Sequence, residues 1–251
     1  MIHEFFDLSK AAEFQALSLK KDSTFEVHYF DIHSMGGTTR VILAASGAKF
    51  TNVLPGENWE KEDKAKAPFG TVPILKEISA DGKTVIQIAE SDSIERYLAR
   101  KFDLYGSNAL EEVIINTYLS QANAVTGQVI ARYYSADDDK EAQEKVRKQL
   151  VEGPISNWIK YHERHLQDNG ANGHLVGNKL TLADIKVAYW IPLLQYISAK
   201  EGLISPEKTP ALLKVQETVD SIPSLKAWRE TEEYQTFSRG NLDYLGFAGS
   251  K

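Results

Sequence analysis

The sequence of 251 residues contains no cysteine. This absence excludes disulfide bonds, thiolate metal ligands, CxxC redox pairs and a cysteine nucleophile, so any thiol chemistry must use a thiol from a substrate. No segment approaches the 18 or so uninterrupted apolar residues that a membrane-spanning helix needs. The segment Met1–Lys21 carries acids and lacks a basic region followed by an apolar core, so it is not typical of a signal peptide. We therefore expect a cytoplasmic protein.

Positive charge is also in short supply. Lys and Arg number 29 against 35 Asp and Glu, which gives a formal net charge of −6. Nucleic-acid binding and docking on anionic membranes both favour a broad basic surface. We therefore expect neither a nucleic-acid partner nor a membrane partner. The hydrophobic share of 42% is that of an ordinary globular protein with a substantial core.

The first part of the chain, residues 25–104, alternates short β-like runs with helical patterns. The Asp81-Gly82 pair is a hairpin turn signal, and Ser91 is suited to be a helix N-cap. The order of elements predicts a small mixed sheet with helices packed on it. The predicted elements are the strands Phe25–Phe30, Phe50–Leu54, Pro73–Lys76 and Thr84–Ile88 and the helices Thr38–Ser46 and Ser91–Phe102.

Beyond a linker at residues 105–108, residues 109–235 show helical spacing and predict an all-α domain. Pro192 should kink or locally break one of its helices. Residues 1–24 form an extra helical arm in this interpretation, and residues 236–251 form a tail. The predicted helices are Ala109–Tyr134, Lys140–Gln167, Leu182–Ser198, Thr209–Asp220 and Leu225–Glu232.

Three short motifs carry chemical or folding information. In Ala67–Pro73, a cis proline would present the backbone of Val72 to a peptide-like ligand, although an ordinary loop-to-strand turn explains the same residues. Glu90-Ser91 opens a helix, whose N-terminus suits a carboxylate, and Glu90 can accept from an ammonium group. A plain serine N-cap is the alternative. Thr181–Asp184 is a capping box, which is a folding device.

In this order and spacing, the motifs resemble those of the cytosolic glutathione transferases. The sigma class, which includes the glutathione-dependent prostaglandin D synthases, is the most similar class. The resemblance runs from Phe25 to about Tyr234 and leaves out the arm and the tail. The segments that carry it are Tyr29-Phe30, Pro68–Pro73, Glu90–Ala99 and Leu180–Asp184.

The resemblance implies an α/β plus all-α fold, with a thioredoxin-like N-terminal domain followed by an all-helical C-terminal domain. It implies an enzyme that activates the glutathione thiol for conjugation to small hydrophobic electrophiles, with peroxidase or isomerase side activity. Glutathione is then a co-substrate, no metal is needed, and the protein is a homodimer. The alternative is a non-catalytic structural or regulatory protein of the same fold.

Tyr29 matches the family's first-strand tyrosine, whose hydroxyl donates a hydrogen bond to the glutathione sulfur. A thiol with a pKa of about 8.5 is mostly protonated at pH 7. A charge-assisted hydrogen bond of about 1.5–3 kcal/mol lowers that pKa by roughly one to two units. Tyr29 then acts as a donor and not as a base. Ser34 is a second donor or an alternative to Tyr29.

The resemblance also assigns residues to the rest of glutathione and to the electrophile. The glycyl end falls to Trp59 and to Lys64, with Lys66 as a competitor. The electrophile pocket is expected between the two domains, lined by Ile32, Ser34, Met35 and helix residues near Val125–Tyr133, with Tyr133 and Tyr134 as walls or as packing residues. The residues expected to bind glutathione are Trp59, Lys64, Thr71, Val72, Pro73, Glu90, Ser91 and Asn116.

Three of these positions depart from the sigma pattern. Met35 stands where an arginine is common near the sulfur, and Glu90 stands where a glutamine is usual. Asn116 stands where the partner subunit usually supplies an acid. Each change removes a favourable charge or adds an unfavourable one, so we expect weaker glutathione binding. Phe69 matches the position from which related classes insert an aromatic side chain into the partner subunit.

Overall fold

The computed structural model describes residues 7–133 and 139–244, with side chains through residue 240. The chain forms two compact units, one comprising residues up to Leu104 together with those from Ile222 onward, the other Tyr105–Ser221. The sequence placed residues up to 235 with the helical domain, whereas the structure groups those from Ile222 onward with the first unit. Within the described ranges, no helix combines the length and the apolar character needed to cross a membrane.

The first unit is built on a four-stranded sheet in the order β2-β1-β3-β4. β2 runs parallel to β1, whereas β3 is antiparallel to both of its neighbours. Alternate residues of β1, such as Phe25 and Val27, are buried, which is the period of two that a strand requires. The predicted mixed sheet is confirmed, with small shifts at the strand ends. The strands are β1 (Thr24–His28), β2 (Lys49–Val53), β3 (Ile74–Ile78) and β4 (Val85–Ala89).

Helices α2 (Ser34–Ala45) and α3 (Ser91–Lys101) pack on this sheet and on each other. The N-cap of α3 is Glu90, because its carbonyl accepts the first helical hydrogen bond from the Ile94 amide at 2.9 Å. The prediction of Ser91 as the N-cap was therefore wrong, and Ser91 is the first helical residue.

The N-terminal arm contains helix α1 (Ala11–Ser18). The buried ammonium of Lys101 in α3 forms an ion pair with Glu77 at 2.7 Å and donates to the carbonyls of Leu17, Ser18 and Lys20. This one lysine therefore caps the end of α1 and ties the arm to the sheet. The predicted helical arm is present from residue 7 onward, and residues 1–6 lie outside the described ranges.

The second unit is helical throughout its regular elements. Helix α7 (Leu182–Ile197) is buried over most of its length and runs without interruption through the exposed Pro192, so a break at that residue does not occur. The predicted capping box is confirmed, because the Asp184 carboxylate accepts from the Thr181 amide at 2.7 Å. Two π-helical turns, Val129–Tyr133 and Val151–Ile155, interrupt segments that the sequence predicted as continuous helices. The helices are α4 (Ala109–Gln128), α5 (Lys140–Leu150), α6 (Ser156–Asp168), α7 (Leu182–Ile197) and α8 (Pro210–Asp220).

After the second unit the chain returns to the first with α9 (Pro223–Arg229) and α10 (Glu232–Tyr244). The sequence placed residues 236–251 in a tail, and the structure describes a helix as far as Tyr244. The helix forms because Phe237, which is 4% exposed, anchors it to the first unit. The remaining tail residues, 245–251, lie outside the described ranges.

Candidate functional site

Tyr29 lies directly after β1, with its backbone amide donating to the Val53 carbonyl at 3.2 Å. Its side chain is only 6% exposed. The hydroxyl oxygen accepts a hydrogen bond from the Met35 backbone amide at 3.2 Å. That amide belongs to the first turn of α2, where N–H groups have no partner inside the helix. The tyrosine hydroxyl is therefore held at the positive end of a helix.

Two residues at the start of α2, Gly36 and Ser34, allow the Tyr29 side chain to lie against this end of the helix. Gly36 packs against Tyr29 so closely that an added Cβ would lie 2.6 Å from two atoms of the tyrosine ring. Ser34, the first helical residue, has a φ of +29°, which is uncommon for a residue other than glycine. The predicted start of this helix at Thr38 was four residues late, because Gly36 and Gly37 are buried within the helix instead of preceding it.

Arg40, which was not among the predicted site residues, is fully buried beside the segment that follows Tyr29. Its guanidinium donates to the carbonyls of Phe30 at 2.9 Å and Ile32 at 2.5 Å, and to Oδ1 of Asn52 at 2.7 Å. The guanidinium carbon lies 5.6 Å from the centroid of the Tyr29 ring. An arginine in an otherwise small and apolar helical segment was the signal that could have found it, since a buried cation needs fixed acceptors.

The turn before β3 and the start of α3 lie next to each other. The Thr71 hydroxyl donates to Oε1 of Glu90 at 3.4 Å, which brings the two predicted glutathione-binding motifs together. Glu90 has a φ of +71°, and the Val72–Pro73 peptide bond is cis, the conformation that the sequence suggested. Ser91 follows at the N-terminus of α3, where the unpaired N–H groups of the first turn suit an anion.

The residues assigned to the glycyl end lie on the segment between β2 and β3. The Trp59 ring makes an edge contact with Phe30, with 6.0 Å between the centroids, so Trp59 lies beside the residue that follows Tyr29. A Cβ added at Gly70 would lie 3.7 Å from Cγ of Lys64. Lys64 therefore borders the Ala67–Pro73 turn.

Both candidate lysines already have carboxylate partners. Nζ of Lys64 lies 3.0 Å from Glu60, and Nζ of Lys66 lies 2.9 Å from Asp63. The hydrogen bond with Asp63 is the main cause that raises the pKa of Lys66. All four side chains are largely accessible to solvent, so a bound carboxylate competes with these acids on a surface where ion pairs are weak.

Helix α10 covers the other side of the segment after Tyr29. The His33 ring packs against Tyr234 with 4.5 Å between the centroids, and its Nε2 lies 3.0 Å from the Ser238 hydroxyl. The Phe237 ring lies 4.3 Å from the guanidinium carbon of Arg40. Burial, and next the charge of Arg40, lower the pKa of His33 to about 4.

Two predicted site residues belong to the second unit. Oδ1 of Asn116 accepts from the Tyr105 hydroxyl at 2.7 Å, and its Nδ2 donates to the Glu112 carbonyl at 2.9 Å. Tyr133 is buried in the π-helical turn after α4, and this burial is the main cause that raises its pKa. Tyr134, the other predicted pocket wall, lies outside the described residues.

The second unit contains a cavity of about 600 Å³ between α4 and α6. Val125, Tyr118, Trp158 and His162 line it, whereas the predicted wall residue Tyr133 does not. Nδ1 of His162 lies 2.8 Å from the Trp158 carbonyl, so Nδ1 carries the proton and Nε2 is an acceptor in the neutral ring. Across residues 7–133 and 139–240, no group of three or more His, Asp or Glu side chains is placed to hold a metal ion.

Comparison with known proteins gives a consistent result. A family model described as glutathione S-transferase, C-terminal domain, matches residues 126–232. A probable glutathione S-transferase 7 of Caenorhabditis elegans is 32% identical over 218 residues, which span 85% of this chain and 98% of that protein.

Solved structures show the same similarity at the level of the fold. The glutathione S-transferase of Ascaris lumbricoides is 27% identical and superimposes with a TM-score of 0.69 over 84% of this chain and all of that one. About a sixth of this chain therefore has no counterpart in that structure. Prostaglandin synthase D of Nilaparvata lugens is 25% identical, with a TM-score of 0.67 over 83% of this chain and 98% of that one.

Proposed function

This chain belongs to the glutathione S-transferase family, and we propose that it activates the thiol of glutathione at Tyr29. The observation that carries the proposal is the hydrogen bond from the Met35 amide to the Tyr29 hydroxyl oxygen. A hydroxyl group whose oxygen accepts a hydrogen bond from an N–H group becomes a better hydrogen-bond donor, because hydrogen bonds in a chain polarise one another. The tyrosine O–H then donates to the glutathione sulfur and stabilises the thiolate.

The rest of glutathione is proposed to follow the two motifs that lie together. The backbone of Val72 pairs with the cysteinyl unit, with Thr71 and Pro73 in the same turn. The γ-glutamyl carboxylate binds at Ser91, and Glu90 accepts from the ammonium group. Support comes from the contact between Thr71 and Glu90 and from the position of Ser91 at a helix N-terminus.

The glycyl end is assigned to Trp59 and Lys64. The position of Lys64 beside Gly70 favours it over Lys66. Lys64 must partly leave Glu60 to bind the glycyl carboxylate. Because that pair is exposed, the exchange costs little, but the net positive charge offered to the ligand is small.

The proposed reaction is conjugation. The thiolate sulfur attacks an electrophilic carbon of a small hydrophobic molecule, a carbon–sulfur bond forms, and the leaving group departs with its electron pair or a proton adds to the product. Ile32 and Met35, which lie near Tyr29 in the sequence, are proposed to contact the electrophile. The family resemblance also supports a cytoplasmic location.

Absorbance of the thiolate, titrated with pH on the glutathione-bound protein, tests the proposal. The wild-type thiol pKa should lie about one to two units below the free value near 8.5. Tyr29→Phe should return it to that value, whereas Ser34→Ala should change it little. A thiol pKa in Tyr29→Phe equal to that of the wild type would refute the role of Tyr29. If Ser34→Ala alone raised the thiol pKa to the free value, the role would belong to Ser34. A wild-type protein with no thiolate signal would support the non-catalytic alternative.

Dimerisation is a separate proposal. The Phe69 side chain is 53% exposed, which agrees with a role at a subunit interface. Sedimentation of the wild type should give a dimer, and Phe69→Ser should weaken it. A 25% identical structure with a TM-score of 0.68, that of Na-GST-3 from Necator americanus, is described as monomeric. If the protein is a monomer at all concentrations, the proposed dimer is refuted, and Asn116 cannot bind glutathione from a partner subunit.

A further inference from the structure

Helix α10 approaches the segment after Tyr29 more closely than ordinary side-chain packing allows. A Cβ added at Gly240 would lie 2.7 Å from the Asp31 carbonyl oxygen and 3.2 Å from Cγ2 of Ile32. The first of these is a backbone atom, which cannot move aside as the end of a flexible side chain can. A glycine at residue 240 is therefore required for this approach.

The same segment is held from its other side by Arg40. The guanidinium donates to the carbonyls of Phe30 and Ile32, and Phe237 of α10 packs over that guanidinium at 4.3 Å. Ser238 of α10 lies 3.0 Å from Nε2 of His33. Residues 30–33 are thus clamped between a buried cation and a helix.

This clamped segment is the connection between the two groups that act on the thiol. It runs from Tyr29, which supplies the hydroxyl, to the start of α2, where the Met35 amide donates to that hydroxyl at 3.2 Å. A hydrogen bond of this length lies at the long end of the usual range, so a movement of the segment by a few tenths of an ångström takes it outside that range.

We infer that α10 is a positioning element for thiol activation, and that Gly240 is its positioning residue. The inference rests on the proposed role of Tyr29. The family model matches the chain as far as residue 232, where α10 begins. In the described part of this polar helix, contacts with the sheet domain come from Tyr234, Phe237, Ser238 and Gly240.

The test is the pH dependence of kcat/KM and of thiolate absorbance in the full-length variant Gly240→Ala. The added methyl should displace residues 31–32 and raise the pKa of the bound thiol by about half a unit to one unit. From a wild-type thiol pKa of about 6.5–7.5, this is roughly a two- to ninefold loss of thiolate at pH 6.5. At pH 9, where the thiol ionises without help, kcat/KM should approach that of the wild type. A role confined to folding would not produce this dependence on pH.

The matched control is Gly127→Ala in α4, a helical glycine whose added Cβ would meet no atom within 4 Å. This variant should leave the thiol pKa unchanged. If Gly240→Ala fails to fold, Ser238→Ala takes its place, because it removes the contact with His33 without adding bulk, and a smaller rise in pKa is expected.

The outcomes separate the inference from the proposed function. The first outcome is a raised thiol pKa in Tyr29→Phe with a wild-type thiol pKa in Gly240→Ala (or in Ser238→Ala, where that variant is used). This outcome overturns the positioning role of α10 and leaves the proposed function intact. A wild-type value in Tyr29→Phe overturns both. A rise in both the Tyr29 variant and the α10 variant, with none in Gly127→Ala, supports both.

Discussion

Acid should destabilise the helical unit through His162 in α6. The residue is only 3% exposed, and its ring stacks on Trp158 with 3.9 Å between the centroids. Burial is the main cause that lowers the pKa of His162 from 6.5 to about 4, because it penalises the charged ring. The hydrogen bond to the Trp158 carbonyl acts in the opposite direction, and the nearby His165 lowers the pKa further.

The direction of this pH effect on stability follows from the number of protons that the folded and unfolded chains bind. Between pH 6.5 and pH 4 the unfolded chain binds a proton at His162, whereas the folded chain does not. The stability that neutral His162 contributes is therefore complete above pH 6.5 and is lost as the pH falls toward 4. At 1.36 kcal/mol for each pKa unit, the free energy of unfolding should fall by about 2 kcal/mol between pH 7 and pH 5.

Urea unfolding of the wild type and of His162→Phe at pH 7, 6 and 5 measures this effect. The phenylalanine variant loses the bond to the Trp158 carbonyl, about 1 kcal/mol at every pH, but its fall between pH 7 and pH 5 should be about 2 kcal/mol smaller. Gln167→Ala, an exposed position in the same helix that carries no titratable group, is the control. His33, with a pKa also lowered to about 4, is present in every variant and cancels. Equal pH dependence in the wild type and His162→Phe would refute the reasoning.

Two substitutions in the first unit test the packing described above. Gly36→Ala should lower the melting temperature and raise the pKa of the bound thiol. The reason is that overpacking against the Tyr29 ring costs about 1–3 kcal/mol, which exceeds the roughly 1 kcal/mol gained in helix propensity. An unchanged thiol pKa would contradict the proposed contact between Tyr29 and the thiol. Lys101→Met should lower the free energy of unfolding by about 3–5 kcal/mol in urea, because it leaves the buried Glu77 carboxylate without its cation. The double variant with Glu77→Leu should recover much of that loss, and no recovery would argue against the ion pair as the cause.

Local patterns were sufficient to predict most of the regular structure. The strands follow from alternation such as that of Phe25 and Val27, and the entry to α7 follows from its capping box at Thr181–Asp184. The start of α2 was harder to predict, because Gly36 and Gly37 usually favour a turn. Only the closeness of the Tyr29 ring explains a glycine inside that helix.

The parts that could not be predicted depend on contacts distant in sequence. Arg40 is buried because carbonyls from the segment after Tyr29 converge on it. The small and apolar residues around it indicate burial, but they do not indicate which acceptors it binds. Helix α10 has few apolar residues, and those few, such as Phe237, find their partners some 200 residues earlier in the chain. In the candidate site, the family resemblance supplied the residues, and the structure supplied the contacts between Tyr29 and Met35 and between Thr71 and Glu90.

The departures from the sigma pattern change side chains and leave the main-chain part of the site in place. Met35 lacks the charge of an arginine, yet its amide still donates to Tyr29. Glu90 adds a negative charge, yet its backbone still begins α3 with a positive φ. At the proposed site, charge at the two ends of glutathione would affect bound glutathione and the transition state about equally, whereas the main-chain geometry beside Tyr29 would act on the thiol. The departures at Glu90 and Asn116 should therefore appear as a raised KM for glutathione with kcat little changed. Glu90→Gln provides the measurement, since it should lower KM without altering kcat, and an equal change in both would show that the charge at this position also acts on the thiol.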